Sequence, residues 1–292
     1  MQNILACVDA SSYAPTVCKL AAWASRKLGL PIELLHVVQR HDTSAARHDL
    51  SGAIGLGVKS RLLEELTQLD AMDARLQIER GRLLLNSCLE LLDEMNAQGV
   101  TSLHRHGDIV ETILEREQAA RIVVMGKRGA SKEFATDHIG STLERVVRAS
   151  DRPVLIAPDS ASDAPAEDMT RAVVLAYDGS PAAGRALERC ANSPLLQDLP
   201  VTIVIATSRR KMPREKAEQR MLEARKILDG RDITSVLEEG GAEDVIAGAV
   251  KATPGAILLM GAFGHSPLRA LIVGSTTTAM VRSISVPTLL VR

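Results

Sequence analysis

Apolar positions along the chain follow two rhythms. Short unbroken runs, such as Ile32 to Val38 and Val154 to Ala157, alternate with longer stretches in which apolar residues recur every three or four positions. The first rhythm predicts strands buried on both faces, and the second predicts helices. In order, the pattern gives a strand Asn3 to Val8 ending at Asp9, a helix Ala14 to Leu28 closed by Gly29, and a strand Ile32 to Val38. After a long helical region come a strand near Val100 to Leu103, a helix near Ile109 to Gln118 and a strand Ile122 to Met125. A glycine loop, a helix Ser141 to Ala149 and a last strand Val154 to Ala157 complete the set. Strand and helix in alternation predict a parallel sheet covered on both sides, an α/β fold.

The pattern then starts again. Val173 to Ser180 repeats Ile4 to Ser11, and Leu199-Pro200 repeats Leu30-Pro31, both at a shift of 169 residues. Later the shift falls to 134 or 135, with Gly126 matching Gly261, Gly140-Ser141 matching Gly274-Ser275 and Pro153 matching Pro287. The chain is therefore a tandem duplication of two doubly wound domains, predicted at 1–158 and 170–292 around a small, acidic, proline-containing linker at 159–169. The first copy carries about 34 extra residues, predicted to lie at about 41–81. They open with a loop, His41 to Gly57, containing the glycine-rich Ser51 to Gly57, a candidate lid for the first site. A helical stripe of Leu62, Leu66, Leu69, Met72 and Leu76 follows. A helix running from Ser60 to Met95 would be roughly 54 Å long, more than one small domain can cover. Either Gly81 breaks it and the pieces fold over their own sheet, or part of it reaches another surface.

Composition narrows the classes of partner. With 292 residues and 46% hydrophobic composition the chain can bury a large core. Its 35 basic and 36 acidic residues leave a net charge of −1, which recommends neither nucleic acid nor an anionic membrane. Only Tyr13, Trp23, Phe134, Tyr177 and Phe263 are aromatic, so base stacking is also disfavoured. Cys7, Cys18, Cys88 and Cys190 form no CxxC and read as buried, reduced thiols, which points to the cytoplasm. The amino terminus lacks a basic leader, and no apolar stretch nears the roughly 20 residues of a membrane span.

Chemistry concentrates in Gly261 to Thr276. This stretch follows the strand Ala256 to Met260 and precedes a helix over Thr277 to Arg282. Glycines there let backbone approach a ligand, and the free N–H groups of a helix start favour an anion such as phosphate. Gly261, two residues, Gly264, nine residues, then Gly274-Ser275-Thr276 form a compound spacing far more specific than a lone glycine pair. His265 and Arg269 are its nearby cationic candidates.

These residues resemble the universal stress protein family in its tandem form. Members that bind ATP share this glycine spacing and an Asp at the end of the first strand, here Asp178. The resemblance implies strand order 3-2-1-4-5 in each domain, with the ligand between strands 1 and 4. It further implies ATP, with or without Mg, as cofactor. Asp178 would lie near the adenosine, the backbone of Ala206 at the adenine, and Gly261, Gly264, Gly274, Ser275 and Thr276 around the phosphates. The first copy supplies weaker candidates, Asp9, Val37, Gly126, Gly129, Gly140 and Ser141, because ten residues rather than nine separate Gly129 from Gly140. Asp137 and His138 also precede Gly140, where a carboxylate would repel phosphate, while Lys127, Arg128 and Lys132 would attract it.

No Walker A lysine, nucleophile elbow or HExxH occurs, and no acidic pair is placed to hold magnesium and aim a water. The expectation is adenine-nucleotide binding, with hydrolysis slow or absent and no catalytic residues. His104 and His106 would share a strand face, but two ligands do not make a metal site. By resemblance, the last strands of the two copies pair within the chain, and a homodimer is a further option. The reading is a cytoplasmic stress-response or signalling module that switches a protein partner. Its rival is an interaction protein without nucleotide, working through 41–81.

Overall fold

The structure, a computed structural model, describes residues 2–39, 56–129, 140–159, 165–210, 212–262 and 275–292. The first half contains β1 (Asn3–Cys7), α1 (Ala14–Leu28), β2 (Ile32–Val38), α2 (Leu56–Glu94), β3 (Thr101–His106), α3 (Ile109–Arg116), β4 (Ala120–Gly126), α4 (Ser141–Ala149) and β5 (Val154–Ala157). A short α5 (Ala166–Met169) leads into the second half. There follow β6 (Ala172–Ala176), α6 (Pro181–Asn192), β7 (Val201–Thr207), α7 (Arg214–Ile227), β8 (Ile233–Glu239), α8 (Ala242–Ala252), β9 (Ala256–Gly261), α9 (Ser275–Ser283) and β10 (Thr288–Val291). Local chemistry sets several of these bounds. Gly29, at φ +64°, ends α1 and returns its N–H to the Ser25 carbonyl at 2.8 Å. Asp108 caps α3 by accepting from the N–H groups of Val110 and Glu111, each at 2.9 Å.

The strands form one ten-stranded sheet in the order β3-β2-β1-β4-β5-β10-β9-β6-β7-β8. Each half shows the order 3-2-1-4-5, parallel throughout, and the two copies are therefore tandem doubly wound units. They join where β5 and β10 run antiparallel, with Leu289 opposite Leu155. Alternate residues of each strand feed the two faces. Ile4 and Ala6 pack with α1 residues such as Leu20 and Trp23, whereas Leu5 packs with Val110, Val146 and Val147 beneath α3 and α4.

Two cations cross the seam. Lys127 donates from Nζ to the carbonyl of Ile284 just past α9, at 3.1 Å, and Arg292 donates from Nη1 to the carbonyls of Ala149 (3.1 Å) and Ser150 (3.4 Å) at the end of α4. Each sits at the negative end of a helix from the other half, where a cation is favoured.

The stretch read as linker contains the turn of helix α5, with Ala166 buried and the Thr170 hydroxyl donating to its carbonyl at 2.8 Å. Gly81 does not break α2, which runs unbroken for 39 residues, roughly 58 Å, and already includes Gly57. Gly81 is small for another reason: a Cβ there would lie 2.6 Å from the His104 ring and 2.8 Å from the His36 ring. The helix passes so close to β2 and β3 that only glycine fits. The proposed loop Ser51 to Gly57 otherwise lies outside the described residues.

Candidate functional site

In a doubly wound sheet, a crevice opens where neighbouring strands send their connections to opposite faces. In the second half these strands are β6 and β9. After β6 the chain enters α6 on one face, and after β9 it reaches α9 on the other. The turn into α6 is built by Asp178, Gly179, Ser180 and Pro181. Gly179 takes φ +73°, Asp178 Oδ1 accepts from the Ser180 N–H at 2.9 Å, and Ser180 Oγ accepts from the Ala183 N–H at 3.2 Å. On the opposite wall, a Cβ on Gly261 would fall 2.3 Å from the backbone of Ala182, so the close approach of β9 to α6 requires glycine.

Between these walls lies a cavity of about 700 Å³, within the range that holds small ligands. Asp178, Ala206, Gly261 and Thr276 all line it. Ser275 starts α9 but is not among the lining residues, and Thr277 is instead, its hydroxyl donating to the Gly261 carbonyl at 3.5 Å. Gly264, Gly274, His265 and Arg269 lie outside the described residues. Sequence reasoning missed Ser208, Met212 and Lys216. Ser208 and Met212 form a small antiparallel bridge after β7, and Lys216 stands in the first turn of α7. Among the described residues, Lys216 and Asp178 are the charged side chains lining this cavity. The position of Lys216, just beyond a strand end at a helix start, was the available signal.

The corresponding cavity of the first half measures about 90 Å³. Asp9, Val37, Gly126, Gly129 and Gly140 line it; Ser141 does not, and Thr142 takes its place. At the 169-residue shift, Tyr13 stands where Ala182 stands in the second half, fully buried, its Cβ 2.7 Å from where a Cβ on Gly126 would lie. Arg128 closes the mouth by donating to the Tyr13 hydroxyl at 3.4 Å. Asp9 is turned inward onto the loop, accepting from the N–H of Ser11 at 3.2 Å, with its other oxygen against Gly129.

The family model of the universal stress proteins matches residues 1–158 and 169–292. The chain belongs to the universal stress protein family. A universal stress protein of Synechocystis sp. is 33% identical over 295 residues, covering all of both chains. A universal stress protein structure from Archaeoglobus fulgidus superposes with a TM-score of 0.68 at 21% identity, covering 99% of this chain and 98% of that one. A functionally unknown protein from Pseudomonas aeruginosa gives 0.56 at 16% identity, over 100% and 92%. These structures share the tandem fold.

Within this universal stress protein, Lys127 is buried and its ammonium is turned to the seam rather than standing out as a solvated loop charge. Burial and the neighbouring Arg128, opposed in part by Asp159, lower its pKa to about 8, and its ammonium serves the seam. Lys132, Asp137 and His138 lie outside the described residues. His104 and His106 do share a face, with ring centroids 5.3 Å apart, and His36 lies 5.3 Å from His104. Burial first, then His36 and His106, lowers the pKa of His104, and no set of described residues is placed to hold a metal ion. Cys18, Cys88 and Cys190 are buried free thiols, and Cys7 is half-buried. No described helix is long and apolar enough to cross a membrane.

Proposed function

We propose that this universal stress protein binds one adenine nucleotide, ATP, in its second half and works as a cytoplasmic stress-response or signalling module. The observation that carries the reading is the contrast between two cavities at equivalent places in the repeat, about 700 Å³ against about 90 Å³. Asp178 and Ala206 would hold the adenosine. Gly261 ends β9 and Thr276 stands in the first turn of α9, where backbone N–H groups favour phosphate, and Gly264, Gly274 and Ser275 would complete the loop. Lys216 adds a positive charge suited to a polyphosphate, with or without Mg. The activity proposed is binding, with hydrolysis slow or absent.

Isothermal titration calorimetry with ATP tests the reading. One site per chain is expected, lost in Asp178→Ala and in Gly274→Val and kept in Asp9→Ala. Absence of ATP binding, or binding that survives in the second-half variants and vanishes in Asp9→Ala, overturns it. A second reading, an interaction protein acting through α2, is favoured by the exposure of that helix. Nucleotide retained on the purified protein would separate the two.

A further inference from the structure

Helix α2 divides at Gly81. Beyond it, Leu85, Cys88 and Leu92 are buried against the body of the first half. Before it, every residue from Ala71 to Arg80 is exposed. Along this arm Leu69, Met72 and Leu76 are 58%, 65% and 46% exposed, and Leu83, two residues past Gly81, continues the stripe at 57%. Their spacing of three, four and seven residues is that of a helix seam made for another helix. The counterpart in the second half, α7, has 14 residues and offers no second arm among the described residues.

Charge along the arm is segregated. Residues 65–73 contain Glu65, Asp70 and Asp73 and no base, whereas 74–82 contain Arg75, Arg80 and Arg82 against one acid, Glu79. A parallel pair of such arms would stack acid on acid and base on base. Antiparallel pairing lays the acidic half of one on the basic half of the other. We propose that the arm docks antiparallel on the arm of a second copy of this chain. With Leu69 level with Leu76 of the second copy, Glu65 comes level with its Arg80. The bodies then sit toward opposite ends of the helix pair.

Sedimentation of the full chain tests this. A dimer is expected in the unmodified protein and a monomer in Leu69→Glu/Leu76→Glu, whose exposed sites leave the helical circular dichroism of the body intact. Glu65→Arg and Arg80→Glu should each weaken the dimer about tenfold, and the double reversal should restore it. For orientation, Gln68→Cys mixed with Gln77→Cys should form an intermolecular disulfide under mild oxidation, while Gln68→Cys alone should not. A monomer up to about 100 µM, where micromolar dimers are populated, overturns the proposal. So does a dimer that survives Leu69→Glu/Leu76→Glu, a double reversal that fails to restore it, or ready cross-linking of Gln68→Cys alone.

Discussion

Lys127 makes the stability of the seam depend on pH in an unusual direction. Its side chain is buried (7% exposed), and its pKa stands at about 8 against 10.5 when unperturbed. The lowered value means that between about pH 8 and 10.5 the unfolded chain holds this proton more firmly than the folded one. Stability must therefore rise with pH across that window. With these two pKa values, the contribution of Lys127 becomes more favourable by about 2 kcal/mol from pH 7 to pH 9.5. Lys127→Met keeps the apolar stem and removes the titration, so other groups that titrate in the same range cancel in the comparison. Urea unfolding can be followed at Trp23, the only tryptophan and buried in α1 of the same half. The stability difference, unmodified minus Lys127→Met, should climb by about 2 kcal/mol over the interval. A difference flat to within about 0.5 kcal/mol, or one that falls, refutes the placement of an ammonium in the seam.

Other substitutions test other parts of the frame. Gly81→Ala should destabilise by about 1 to 3 kcal/mol because its Cβ would press on the His104 and His36 rings, whereas Gly248→Ala, with nothing within 4 Å, should stabilise by about 0.5 to 1 kcal/mol; urea midpoints check both. Arg116→Met strands the buried carboxylate of Glu33, which now receives Nε and Nη2 at 2.7 and 2.6 Å, and should cost about 2 kcal/mol in the same assay. Gly261→Ala forces a methyl against the backbone of Ala182 and should cost about 3 kcal/mol and displace the wall of the larger cavity, seen as a lowered melting temperature and lost ATP response. ATP at 100 times its Kd should stabilise the unmodified protein by about 2.7 kcal/mol, read as a raised urea midpoint.

The elements legible in the sequence were those dictated locally. Unbroken apolar runs bounded by Gly, Pro or Asp marked strands such as Ile32–Val38, and the duplication marked both halves of the sheet at once. Asp178, Ala206, Gly261 and Thr276 meet at one cavity because chain order and strand-end position already bring them there. What stayed hidden depends on contacts across the fold. Lys127 looks like a loop charge until α9 is known to end beside it. Tyr13 looks like a helix-start residue until its Cβ is found against Gly126 and its hydroxyl beside Arg128. Gly81 reads as a helix breaker because propensity cannot report that two histidine rings lie against it.

The antiparallel β5–β10 seam has a consequence for how the halves diverge. When two identical chains meet about a two-fold axis, the contact is isologous, and any residue placed on one side appears on the other as well. A covalent tether lifts that rule, and the high effective concentration it provides spares the contact from dilution. The two capping cations show the freedom in use: Ile284 and Ser150 correspond at the 134-residue shift, yet Lys127 corresponds to no cation in the second half, and Arg292 corresponds to Pro158. One side of the joint is held from a loop, the other from a terminal arginine. Released from symmetry at the joint, the copies were equally free at their crevices, one of about 90 Å³ and the other of about 700 Å³.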